Sequence, residues 1–153
     1  MTDAVIVSAT QTRGRGRSDR VWYSDTPDGL YYTYVSSDIA EASRIPDFTL
    51  KIGALVSRVV TAISGLATET EWPNDVLLEG RKLAGVLVET FKPFAHGDKY
   101  VIIGIGLNLN QSAFPEPLSL VATSLFQVSG KTYPKWPFIA GLTQEIDRVF
   151  AGN

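Results

Sequence analysis

The sequence predicts an α+β domain: a mixed, mostly antiparallel sheet with helices on one side. Three observations predict it. Short apolar runs of strand length recur through the chain, two stretches carry apolar residues at helical spacing, and a Glu79-Gly80 turn joins two of the strands directly. In order, residues 4–7 (AVIV) form the first strand. Residues 13–22 (RGRGRSDRVW) suit neither helix nor strand. Residues 30–35 alternate aromatic and small side chains and read as the second strand. Residues 36–47 are polar and irregular. From Leu50, apolar residues at Ile52, Leu55, Val56, Val59, Val60, Ile63 and Leu66 make one helical stripe, and Gly65 marks its end. Pro73 and Asn74 break regular structure. Residues 76–78 and 83–90 form two strands across the turn. KYVIIGIGLNLN (residues 99–110) is apolar on both faces and therefore central. Residues 111–117 are a loop, and residues 137–149 return to helical spacing at Phe138, Leu142, Ile146 and Val149. No repeat or linker interrupts the 153 residues, so one domain over 1–153 is expected.

Composition narrows the function. Hydrophobic residues make up 44% and charged residues 20%, as in an ordinary globule. A net charge of −2 argues against a general nucleic-acid binder, so no DNA partner is expected. The positive charge of residues 13–20 is local. There are no cysteines, which excludes disulfides, thiolate metal sites and cysteine nucleophiles. That fits a cytoplasmic location. The first 20 residues lack a signal-peptide core. The longest apolar run, Tyr100–Leu107, is too short to cross a bilayer. The single histidine, His96, sits beside Gly97 and Asp98 and is expected in a turn.

Four short stretches could carry chemistry. In the basic loop, Gly14 and Gly16 let the backbone bend, while arginine forks bind carboxylates or phosphates with paired hydrogen bonds. The loop is either a solvated surface segment or an anion clamp. In WPND (72–75), Asn74 and Asp75 are turn formers, yet Asp75 enters an apolar strand where a carboxylate needs a partner. In RKLAG (81–85), Lys82 stands at a strand entrance. Gly85 inside the strand suggests a bulge or a close approach to the backbone. In GIGLN (104–108), Gly104 and Gly106 repeat that hint ahead of Asn108. Packing against a helix is the alternative for these glycines.

GRGR, WPND, RKLAG and GIGLN occur in this order, and together the set resembles the catalytic domain of biotin protein ligases, over residues 4–149. The resemblance implies ATP-dependent ligation of biotin to a lysine of a biotin carboxyl carrier protein. Biotin carboxylate first attacks the α-phosphate of ATP, giving biotinyl-5'-AMP and pyrophosphate, and the carrier lysine then attacks the activated carbonyl. Both substrates of the first step are anions, so fixed cations are needed. A closing loop would keep water from the adenylate. The resemblance places Gln11, Gly14, Arg15, Lys82 and Gly85 at biotin. It places Arg17, Arg20, Trp22, Asn74 and Asn108 at the nucleotide, and Lys82, Arg17 and Asp75 in catalysis. Asp75 would also hold Mg²⁺. It admits a homodimer, and no membrane partner is expected.

Three departures from the family pattern stand out. Glu71 occupies the position before WPND where the family usually has lysine. The family's Ser-Thr segment, which binds the ureido ring, precedes the first strand, and the family's small C-terminal barrel follows the second helix, so the chain is expected to be N-terminally incomplete and to lack the barrel. Rival readings are a non-catalytic relative that binds biotin or nucleotide weakly, and a lipoate protein ligase, which shares the fold. A nucleic-acid module using the arginine loop is disfavoured by the net charge.

Overall fold

A computed structural model describes residues 4–38, 45–93 and 97–152. Six strands form one sheet: β1 (Ala4–Ser8), β2 (Leu30–Ser36), β3 (Glu69–Glu71), β4 (Asp75–Leu78), β5 (Arg81–Phe91) and β6 (Tyr100–Leu107). Their order is β1-β2-β6-β5-β4-β3, and every neighbouring pair is antiparallel. The expected parallel admixture is confined to one isolated bridge, Lys82 to Ala122. Three helices accompany the sheet: α1 (Ile45–Ser64), α2 (Leu125–Ser129) and α3 (Trp136–Phe150).

Alternation along the strands divides the sheet into two unlike faces. Tyr32, Tyr34, Val86, Ile103 and Ile105 point to one side, where they are buried against the apolar stripes of α1 and α3. Two phenols tie this face to α3: Tyr32 Oη lies 2.8 Å from Thr143 Oγ1, and Tyr34 Oη donates to Asp147 Oδ1 at 2.7 Å. Burial pushes the Tyr32 phenol up to about 12. Helices α1 and α3 cross closely at Gly141, where a Cβ would lie 3.0 Å from Val59 Cγ1. Among the described residues, no α-helix lies on the opposite face.

As expected, β6 is interior to the sheet and β4–β5 form a hairpin, turning through Glu79 (φ 52°) and Gly80 (φ 75°). Helix α1 is described from Ile45, five residues before the apolar stripe suggests, with Pro46 and Asp47 inside it. Gly65, at φ 73°, follows its last residue. Two elements are too short to carry a periodic signal: β3 has three residues, all exposed, and α2 has five residues, of which Leu125 is buried. The latter is set by its ends, with Ser124 Oγ accepting from Gln127 N at 3.0 Å and Gly130 left-handed after it. The turn expected at His96 and the middle of the irregular 36–47 stretch lie outside the described residues.

Candidate active site

The open face of the sheet forms the floor of a cleft of about 750 Å³. Register sets Gly85 of β5 beside Gly106 of β6, then Leu87 beside Gly104 and Glu89 beside Ile102. Two glycines abreast leave a bare strip of backbone, and Trp22 lies on it. A Cβ on Gly106 would fall 2.3 Å from Trp22 Cε2, and one on Gly85 would fall 3.1 Å from Cζ3. The glycines therefore admit an indole, not a helix. Tyr31 completes the floor from β2; its hydroxyl donates to Thr26 O at 2.7 Å, and burial raises its phenol above the ordinary value, keeping it neutral.

The arginine stretch forms the roof. It folds back on itself as an irregular hairpin: Gln11 N donates to Ser24 O (3.0 Å), Trp22 N to Gly14 O (2.9 Å) and Gly16 N to Arg20 O (2.6 Å). Ser18 and Asp19 turn the tip with φ of 54° and 58°. Gly14 is required by the fold, since a Cβ there would lie 2.4 Å from Ser24 Oγ and 2.6 Å from Trp22 O. The guanidinium of Arg15 reaches across the cleft to Glu89, with Nη2–Oε2 at 2.9 Å and Nη1–Oε1 at 3.3 Å. Those of Arg13, Arg17 and Arg20 line the cleft and have no partner among the described residues.

Lys82 owes its place to a β-bulge. Val76 pairs with Ala84 but Leu77 pairs with Lys82, so Leu83 is an extra residue on β5. Leu83 and Ala84 are both fully buried, and Lys82, three residues before Gly85, turns to the same open face. Its Cε lies 3.4 Å from the Cβ position of Gly85. The ammonium is 2.8 Å from Asp75 Oδ1 and 5.4 Å from the centre of the Trp22 ring. The backbone of Lys82 is held firmly: its N donates to Val121 O (2.8 Å), and its carbonyl accepts from Thr123 N (2.9 Å) and Asn108 Nδ2 (3.4 Å).

Every candidate biotin, nucleotide, catalytic or metal residue named from the sequence, except Gly14, lines this one cleft. Two of them are occupied with scaffolding. Asn74 brackets β5, accepting from Val86 N through its carbonyl (2.9 Å) and donating its amide to Val86 O (3.1 Å). Asn108 is buried, and its amide joins Thr123 O (3.0 Å) to Lys82 O. Glu71 is exposed on β3, in register with Asp75 across the strand pair. Glu89 carries no signal in sequence, because a carboxylate at the end of an alternating strand reads as solvent-facing. Among the described residues no three acidic or histidine groups cluster to hold a metal.

A cation-lined cleft under a glycine-rich hairpin, on the free face of an antiparallel sheet, defines an α+β domain whose cleft suits an anion in charge. The chain belongs to the biotin/lipoate A/B protein ligase family, whose model matches residues 2–108. It is 37% identical over 146 residues to a bifunctional ligase/repressor BirA from Bacillus spizizenii, covering 93% of this chain and 43% of the relative. It is 33% identical over 135 residues to a biotin–[acetyl-CoA-carboxylase] ligase from Mycobacterium tuberculosis, covering 81% and 45%. The chain thus spans less than half the length of these curated relatives. A biotin protein ligase from Aquifex aeolicus, solved with biotin and ATP, superposes with a TM-score of 0.84 at 31% identity, over 96% of this chain and 60% of that one. No helix of the described residues is long and apolar enough to cross a membrane.

Proposed function

We propose that this cleft joins the carboxylate of biotin to the α-phosphate of ATP, releasing pyrophosphate, and then offers the acyl group of biotinyl-5'-AMP to a lysine of a biotin carboxyl carrier protein. The named activities of the relatives and the biotin and ATP in the Aquifex complex support this reading. The observation that carries it is the ammonium of Lys82 on the open face, beside the glycine strip and under a roof with three arginines that have no partner among the described residues.

The chemistry follows from these groups. Carboxylate and triphosphate repel, and Lys82 with Arg17 and Arg20 offsets that charge where the P–O bond forms. Turning to the substrates, Lys82 releases Asp75, which is then free to accept a proton from the incoming amine. The indole of Trp22 offers a flat face on which a purine stacks. Gly85 leaves room for the biotin ring beside it. Asn74 and Asn108 act through the backbone they hold. Magnesium is usually bound through one or two carboxylates plus substrate phosphates. It would arrive with ATP, with Asp75 as the ligand from this chain, and would neutralise phosphate charge.

Loss of one such charge-stabilising donor costs on the order of 10²–10³ in rate. Lys82→Ala is therefore expected to lower biotin-dependent ATP–pyrophosphate exchange by about that factor, with an unchanged far-UV spectrum. Equal exchange by variant and parent would remove Lys82 from the mechanism.

A further inference from the structure

The four arginines of the roof divide into two kinds. Arg13, Arg17 and Arg20 face the cleft without partners among the described residues. Arg15 is engaged by both carboxylate oxygens of Glu89, 74 residues away in sequence, at 2.9 and 3.3 Å. The backbone around Arg15 is fixed on both sides, by Trp22 N donating to Gly14 O and by Gly16 N donating to Arg20 O. Glu89 is fixed too, on the open face of β5 in register with Ile102. A planar fork meeting a carboxylate at two points prescribes orientation as well as distance. This pair joins the otherwise solvent-facing part of the roof to the floor. It also places one negative charge beneath a loop whose four positive charges repel one another.

We propose that Glu89 is a positioning residue that keeps the arginine hairpin closed over the cleft, and that Arg15 is its anchor and not a contact to substrate. The three remaining arginines are then presented to the phosphates at a fixed height above the glycine strip. The activity arm of the test rests on the ligase reading given above; the structural arm does not.

The structural arm is hydrogen exchange in the ligand-free protein. Glu89→Gln keeps the shape and removes the charge, and the pair is about half exposed. The amides of Gly16 and Trp22 are expected to exchange about two- to fivefold faster than in the parent, the range for losing a partly exposed ion pair. Amides of β5 and β6 should be unaffected. The charge-reversed pair, Arg15→Glu with Glu89→Arg, is expected to restore the parent exchange rates, whereas Arg15→Glu alone does not. In biotin-dependent pyrophosphate exchange, Glu89→Gln should raise KM for ATP by about two- to fivefold and leave kcat within about a factor of two. The reversed pair should return KM towards the parent value, an outcome excluded if Arg15 binds an anionic substrate directly. Unchanged exchange at Gly16 and Trp22 in Glu89→Gln, or a reversed pair no better than Arg15→Glu alone, overturns the proposal. A parent chain without pyrophosphate exchange would count against the ligase reading only, since loop protection is measured without substrates.

Discussion

A methyl group at position 106 would sit 2.3 Å from Cε2 of Trp22, inside the closest approach of two carbon atoms, and an aromatic ring has no flexible end to yield. Gly106→Ala should therefore lift the indole off the sheet while leaving the strand ladder in place, since the strand φ values suit alanine. The chain has three tryptophans, and the other two, Trp72 and Trp136, are exposed. Red-shifted emission from the variant would thus report on Trp22. Base stacking on an aromatic side chain is worth about 1–3 kcal/mol, so KM for ATP is expected to rise by about tenfold or more. An emission spectrum and an ATP titration identical to those of the parent would mean that the indole does not rest on this strip. The same residue scale shows what a sequence can and cannot disclose. Glycine inside a strand announces that something lies on it, and both Gly85 and Gly106 did so. What lies there is another side chain of the same protein, 63 and 84 residues away, and no local pattern encodes that distance.

Elements with a strong period were legible for physical reasons. The stripe from Ile52 to Val60 buries one helical face, and the continuous apolar run of β6 marks an interior strand, so burial fixes the type of each element. The arginine hairpin was not legible, because its closure comes from Gly14 fitting under Ser24 and from Arg15 meeting Glu89, both products of tertiary structure. Nor was the N-terminal part of α1, because residues 45–47 belong to a stretch too polar and irregular to show a period, yet they are helical. The packing of β2 on α3 carries a pH signature. Tyr32 is buried and its phenol is held up at about 12, so the folded state resists its ionisation while the unfolded chain loses the proton near 10. The stabilisation is complete below pH 10 and is lost as pH rises from about 10 to about 12, by roughly 2–3 kcal/mol. Denaturant unfolding at pH 8 and pH 11.5 should show a smaller decline in Tyr32→Phe than in the parent. An equal decline in both would place the alkaline sensitivity elsewhere.

Over the whole molecule, the sheet has one apolar margin. β1 lies at the edge, with Val5, Ile6 and Val7 between 39% and 55% exposed, so its outer backbone and side chains are both accessible. Such an edge is a template for pairing with another chain. Where the chain self-associates through this edge, Ile6→Lys is expected to reduce the concentration-dependent association in sedimentation or light scattering, with a melting temperature close to that of the parent. Self-association that is the same in both would relieve β1 of that role. The cleft depends on a feature at the other side of the sheet, the single extra residue at Leu83. A strand is a two-beat sequence, and Leu83 is the beat that does not count. Ahead of it, Lys82 would fall on the helix side if the rhythm were regular; after it, Gly85, Leu87 and Glu89 keep strict time on the open side. The lysine and the glycine strip share one chamber only because the meter is broken between them. Insertions or deletions in this short span therefore act as mutations of the site itself, even when every residue that touches the cleft is spared, whereas a substitution of Leu83 by another large apolar residue leaves the phase, and with it the chemistry, where it was.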